Sequence, residues 1–218
     1  MSDQQGATTG PADAAGPPAG ATRTESGGGM RVDARRNREN LLAVARTVMA
    51  EEGLDASLRD VARRAGVGIA TLYRHFPTRE ALVQAVLSDR LNALADAADE
   101  SLAAASPGAA LTAWLHRFTA GSGTFHGLPG SVLAALHDGG SELHGSCVAM
   151  HESASRLLER AQESGEVRRD MDAEDLFTAA AAIGWAAQHS ETERAERILT
   201  LLTDGMLAGE KDSRGRPG

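Results

Sequence analysis

The chain has 218 residues, a formal net charge of −8, 42% hydrophobic and only 3% aromatic residues, so Ala and Leu must fill most of a core that this length amply allows. Its one lysine, Lys211, stands outside any Gly-Lys phosphate loop, which excludes a Walker A nucleotide site, and its single Cys147 excludes an intramolecular disulfide. No apolar run reaches membrane-spanning length and the amino end lacks a signal-peptide pattern, so the expectation is a soluble, cytoplasmic protein of a reducing compartment, although −8 argues against a polyanionic partner.

Residues 1–29 hold seven of the 24 glycines and three of the seven prolines without periodic apolar positions, and read as a disordered tail; 209–218 reads the same way. Leu41, Leu42, Val44, Ala45, Val48 and Met49 then mark a first helix over 37–49, ended by Glu51-Glu52-Gly53. Ser57 with Asp60 three residues on predicts a capped second helix that stops near Gly66. After the turn Ala65-Gly66-Val67-Gly68 comes a third short helix, Ile69 to Phe76, which Pro77 stops and which leaves Thr78 to cap the next. Leu82, Val83, Val86, Leu87, Leu91, Leu94, Ala98 and Leu102 predict a long helix from 78 to about 104. Further helices follow at about 109–120, 129–138, 143–164, 172–189 and 192–208. No segment alternates with period two over strand length, so the chain is all-α, with about nine helices.

A second and third helix joined by a short glycine turn match the geometry of a helix-turn-helix DNA reader, although many buried helix pairs share that spacing. On the third helix Ala70 and Thr71 are small enough to let the backbone into a major groove, and Thr71 can bond a base edge or touch a thymine methyl. Tyr73, Arg74 and His75 offer donors to phosphates, while Leu72 and Phe76 would face Val61 and Leu41 inside. The run Ser57-Leu58-Arg59-Asp60-Val61-Ala62, Ala65-Gly66-Val67-Gly68, Thr71-Leu72-Tyr73-Arg74-His75-Phe76 and Arg79-Glu80-Ala81-Leu82 resembles the amino-terminal domain of the TetR/AcrR family of bacterial transcriptional regulators over about residues 36–90. The later helices agree with that family in number and length only.

The resemblance implies a homodimer whose protomers each have a helix-turn-helix domain (30–77) and a helical ligand-binding and dimerisation domain (78–208). Position by position it makes Ser57, Tyr73, His75 and Thr78 phosphate contacts, Ala70, Thr71 and Arg74 base readers, and places Gly68 at the mouth of the recognition helix. Residues 30–80 carry ten arginines against seven acids, a net +3 that leaves −11 on the rest, so a basic end stands on an acidic body. Arg31, Arg35, Arg36 and Arg38 then read as a phosphate-contacting arm or as a solvated helix start, with Arg36 taken as the contact.

In the body, Trp114, Phe118, Phe125, Val132, Leu136 and Met150 lie near His126, Cys147 and His151, an apolar set with a few polar groups that suits a small-molecule pocket, or else simply a core. His144, Cys147 and His151 share a helix face at metal-ligand spacing, but Gly145 weakens that helix, and no metal or other cofactor is assigned. His151-Glu152 lacks the second histidine of a zinc protease, since Ser155 stands there, and neither Gly130-Ser131 nor Gly121-Ser122-Gly123 makes a nucleophile elbow. Leu176, Ala180, Ile183, Gly184 and Ala187 line one helix with small residues and Ile198, Leu201 and Leu202 stripe the next, which suits a four-helix dimer interface, or packing within one chain.

The expectation is therefore a ligand-responsive DNA-binding regulator and not an enzyme. It would be a repressor that binds a near-palindromic double-stranded operator and is released by a small-molecule inducer. The alternative is an all-α ligand-binding enzyme with a vestigial helix-turn-helix.

Overall fold

The structure, a computed structural model, describes residues 26–122, 128–189 and 192–207. Among them are nine helices: α1 Ser26–Glu52, α2 Leu58–Arg64, α3 Ile69–His75, α4 Arg79–Ser101, α5 Pro107–Ser122, α6 Gly130–His137, α7 Glu142–Glu163, α8 Ala173–His189 and α9 Thr192–Met206. The only extended pairing among the described residues is an isolated bridge between Val167 and Leu207. No described helix is long and apolar enough to cross a membrane.

Most predicted boundaries fall within two or three residues of these, because each is set by a local signal. Gly53 and Gly66 take left-handed conformations, φ 84° and 70°, at the ends of α1 and α2. The Thr78 hydroxyl accepts from the Ala81 N–H at 3.1 Å and opens α4, as Ser141 does for His144 in α7. Two expectations need correction. Helix α1 begins at Ser26, inside the stretch read as a tail, because a helix nucleated farther along propagates by one hydrogen bond per residue without an apolar stripe. Ser57 stands at the N-cap of α2 with extended backbone, but its side chain makes no capping bond. The Asp60 carboxylate of the expected capping pair is held by Arg63 and Arg64 instead.

Two apolar cores organise residues 37–207. The first joins α1, α2, α3 and the start of α4 through Leu41, Val48, Val61, Leu72, Phe76, Leu82 and Val86, and also takes in Val132 of α6 and Leu143 of α7. The second joins α4, α5, α7, α8 and α9 through Leu94, Ala98, Leu111, Trp114, Leu157, Leu176 and Leu199. Helix α4, about 34 Å long at 1.5 Å per residue, contributes to both, and packs chiefly on α7.

Candidate nucleic-acid interface

The α2 to α3 turn is fixed by its own backbone. The Gly66 N–H donates to Arg63 O at 3.1 Å and Val67 N–H to Ala62 O at 3.0 Å, the paired bonds of a Schellman end, with Val67 half-buried beneath. Gly68 then opens α3 in extended conformation, and its carbonyl accepts from Thr71 and Leu72. Leu72 (0% exposed) and Phe76 (2%) anchor α3 in the first core, as the sequence pattern predicts.

The opposite face of the motif is turned outward. Gly68, Ala70, Tyr73 and Arg74 are exposed, and so are Ser57 and Thr78 at the starts of α2 and α4; Thr71 and His75 are half-buried at the edge. Arg74 Nη2 donates to Thr71 Oγ1 at 2.9 Å, which orients both side chains. A Cβ on Gly68 would meet nothing within the chain and its φ of −69° suits any residue, so nothing inside the protein demands glycine there. Arg36, on α1, is also exposed.

Sequence reasoning missed the side chains that hold this head rigid. Arg79 Nη1 donates to Leu54 O at 2.9 Å and Ala56 O at 2.6 Å, tying α4 to the α1 to α2 loop. Asn40 Nδ2 donates to Ala65 O at 2.9 Å, tying α1 to the end of α2. Arg64 reaches Glu51 at 2.6 Å, Glu52 at 2.7 Å and Asp60 at 2.5 Å, and Arg63 pairs with the same aspartate. Bonding to Arg63, reinforced by Arg64, holds the Asp60 carboxyl below its usual range, and Glu51 with Asp60 raises Arg64. Of these contacts, Asp60 with Arg63 and Arg64 stands at the i, i+3 and i, i+4 spacings that a helical sequence can reveal, whereas the others join residues distant along the chain. Several head arginines are thus structural, and the outward positive charge on the motif rests on Arg59 and Arg74, both exposed.

The expected pocket residues divide. Trp114 is buried with Nε1 donating to Leu94 O at 2.8 Å, and stacks on Phe118 at 5.4 Å between ring centroids. Phe177 of α8, which sequence reading passed over as one more apolar residue in a long run, completes the cluster at 6.1 Å from Trp114, 6.0 Å from Phe118 and 4.0 Å from His151. Met150 is buried in the same core. Desolvation lowers the His151 pKa against an opposing pull from Glu174, and raises that of the half-buried Cys147 thiol. Val132 and Leu136, by contrast, pack with the first core, so the nine residues do not line one cavity wall. Their assignment to the pocket is corrected because α6 lies against the base of the head. Phe125 and His126 lie outside the described residues. His144 Nδ1 is 2.8 Å from Leu136 O and so engages the end of α6.

The expected interface residues divide too. Leu176, Ala180, Ile183 and Gly184 are buried within the chain's own second core or beside it, and a face already packed inside one chain is not offered to another. Ile198 (39% exposed) and Leu201 (71%) do face outward, Leu202 is half-buried, and the side chain of Ala187 lies outside the described ones. Among the described side chains of α8 the exposed ones are Glu174, Asp175, Thr178, Ala181 and Ala182.

Comparison with known proteins assigns this architecture. Residues 41–86 match the family described as bacterial regulatory proteins, tetR family, and residues 106–208 match the C-terminal domain of SbtR-like transcriptional regulators. A TetR transcriptional regulator from Streptomyces coelicolor is 37% identical, with a TM-score of 0.66 over 78% of this chain and 98% of its own. This chain belongs to the TetR family. A second TetR-family structure, from Mycobacterium vanbaalenii, is 34% identical, with a TM-score of 0.60 over 82% of this chain and 99% of its own. Among curated proteins, an HTH-type transcriptional regulator of Staphylococcus aureus is 36% identical over 64 residues, 29% of this chain, and the match spans about a third (35%) of that protein's length. The chain is accordingly a TetR transcriptional regulator with a helix-turn-helix head.

Proposed function

We propose that this TetR protein is a homodimeric repressor that reads a near-palindromic operator with α3 and is released by a small molecule bound in the helical body. The observation that carries the DNA reading is the two-sidedness of α3: Leu72 and Phe76 hold it in the head while Gly68, Ala70, Tyr73 and Arg74 face outward. Ala70, Thr71 and Arg74 are the base readers; Ser57, Tyr73, His75, Thr78 and Arg36 contact phosphate. Gly68 supports this reading, since the open space at its Cα suits close approach of a sugar-phosphate backbone.

Dimerisation is assigned to the outward faces of α8 and α9, where Ala181, Ala182, Ile198 and Leu201 present apolar surface. The inducer site is assigned to the neighbourhood of Phe118, Phe177, His151 and Cys147. A ligand there shifts the spacing of the two heads only by binding one spacing more tightly than the other.

The test is a gel shift with a duplex selected by the purified protein from a random library. Thr71→Ala and Tyr73→Ala each weaken specific binding by roughly 1–3 kcal/mol, with the thermal melt unchanged. Unaltered affinity in both variants overturns the reading.

A further inference from the structure

Beside the outward DNA-reading face lies a second, unassigned feature. Where α1, α3 and the start of α4 meet the first turn of α7, the chain leaves a cavity of about 170 Å³ lined by Arg38, His75, Phe76, Gln84, Ser88 and Glu142. Among the described residues, none of the side chains of Arg38, His75, Gln84, Ser88 and Glu142 makes a hydrogen bond or ion pair with the protein. Ser88 is only 4% exposed, and its unpartnered hydroxyl opens on this space rather than being sealed in protein. The Arg38 guanidinium lies 5.5 Å over the ring of Phe76, and both residues line the cavity.

None of these polar atoms is sealed from solvent, so an occupant that displaces the water here must offer them partners in its place. The charges say what. A bare anion drawn by Arg38 meets the Glu142 carboxylate, and a bare cation drawn by Glu142 meets the guanidinium. An apolar molecule would strand both. At about 30 Å³ per water the cavity holds some five waters, or one molecule of a few heavy atoms.

We propose that this cavity binds a compact zwitterion, a free amino acid of small side chain or a molecule of like size and charge. Its carboxylate is taken by Arg38 with the Gln84 amide, its ammonium by Glu142 with the Ser88 hydroxyl, and Ala81, Ala85 and Leu143 give the side chain a short apolar wall. The occupant bridges α1 and α3 of the reading head to α7 of the body, at a place apart from the Trp114, Phe118 and Phe177 cluster. The inference does not rest on the operator or inducer reading.

The test is isothermal titration calorimetry of the full chain with glycine, L-alanine, L-serine and β-alanine, beside acetate, methylammonium and L-tryptophan. At least one compact zwitterion binds saturably, while acetate and methylammonium, each carrying half the charge pair, and tryptophan, too large, do not. Glu142→Gln and Arg38→Gln each weaken that binding by about tenfold or more, and Glu193→Gln, on the exposed surface of α9, leaves it unchanged. Should R38Q fail to fold, E142Q carries the comparison, since Glu142 is exposed at a helix start. Three results overturn the proposal: no heat from any small zwitterion up to about 10 mM, well past the millimolar range of weak ligands; binding that survives E142Q undiminished; or acetate binding as tightly as the zwitterion, which would make the cavity an anion site.

Discussion

Two glycines two residues apart in the reading motif do different jobs. Gly66 sits at φ 70°, a conformation that strains an L side chain, whereas Gly68 sits at φ −69° with open space around it. Gly66→Ala therefore costs about 1–2 kcal/mol of stability in urea unfolding. Gly68→Ala leaves the unfolding midpoint where it was and weakens operator binding, because the added methyl meets only what docks from outside. Asp60 gives a pH signature at the same scale. Its carboxyl is held below the usual 3.8 by Arg63 and Arg64, so its ionised form favours the folded state. That contribution is complete above the unfolded pKa and is lost as pH falls through the lower folded one. The melting-temperature difference between the wild type and Asp60→Asn is accordingly constant above about pH 5 and shrinks below about pH 4; a difference that grows on acidification would show that the pairing is not what lowers the carboxyl.

At the scale of elements, α8 shows where sequence legibility ends. The small-residue stripe Leu176, Ala180, Ile183 and Gly184 marks a face of close helix approach, but spacing cannot say whether the partner is another helix of the same chain. Here it is the same chain: α8 packs on α5 and α9. Helices α2 and α3 and the start of α4 were legible to within a residue or two because Gly66, Pro77 and Thr78 are local punctuation that acts through backbone geometry and needs no knowledge of packing. The two faces predict opposite phenotypes. Leu201→Asp, on the outward side of α9, dissociates the proposed dimer in sedimentation while each protomer keeps its helical circular dichroism. Leu176→Ala, at 1% exposure, instead opens a cavity and costs about 2–5 kcal/mol of stability. A dimer that survives L201D moves the interface off this face.

For the whole molecule, a net charge of −8 and a DNA-reading head are reconciled by position. The sequence showed a basic head on an acidic body, but not that Arg63, Arg64 and Arg79 are spent on internal partners, since that depends on which carboxylates and carbonyls the fold brings near. The +3 of residues 30–80 thus overstates how many arginines are available to phosphate, and the proposed contact draws also on helix starts and hydroxyls. Operator affinity still falls with salt, with a log-log slope of roughly −4 or steeper if two heads make some two to three phosphate ion contacts each. A slope near zero would mean that the head does not reach the backbone. The burial of Trp114 also gives the protein an optical use. The chain has only two tryptophans, so replacing Trp185 by Phe leaves an indole in the second core as the one strong emitter. Its bond to Leu94 O and its stack on Phe118 make its emission colour and lifetime a label-free gauge of anything that pries α4, α5 and α8 apart.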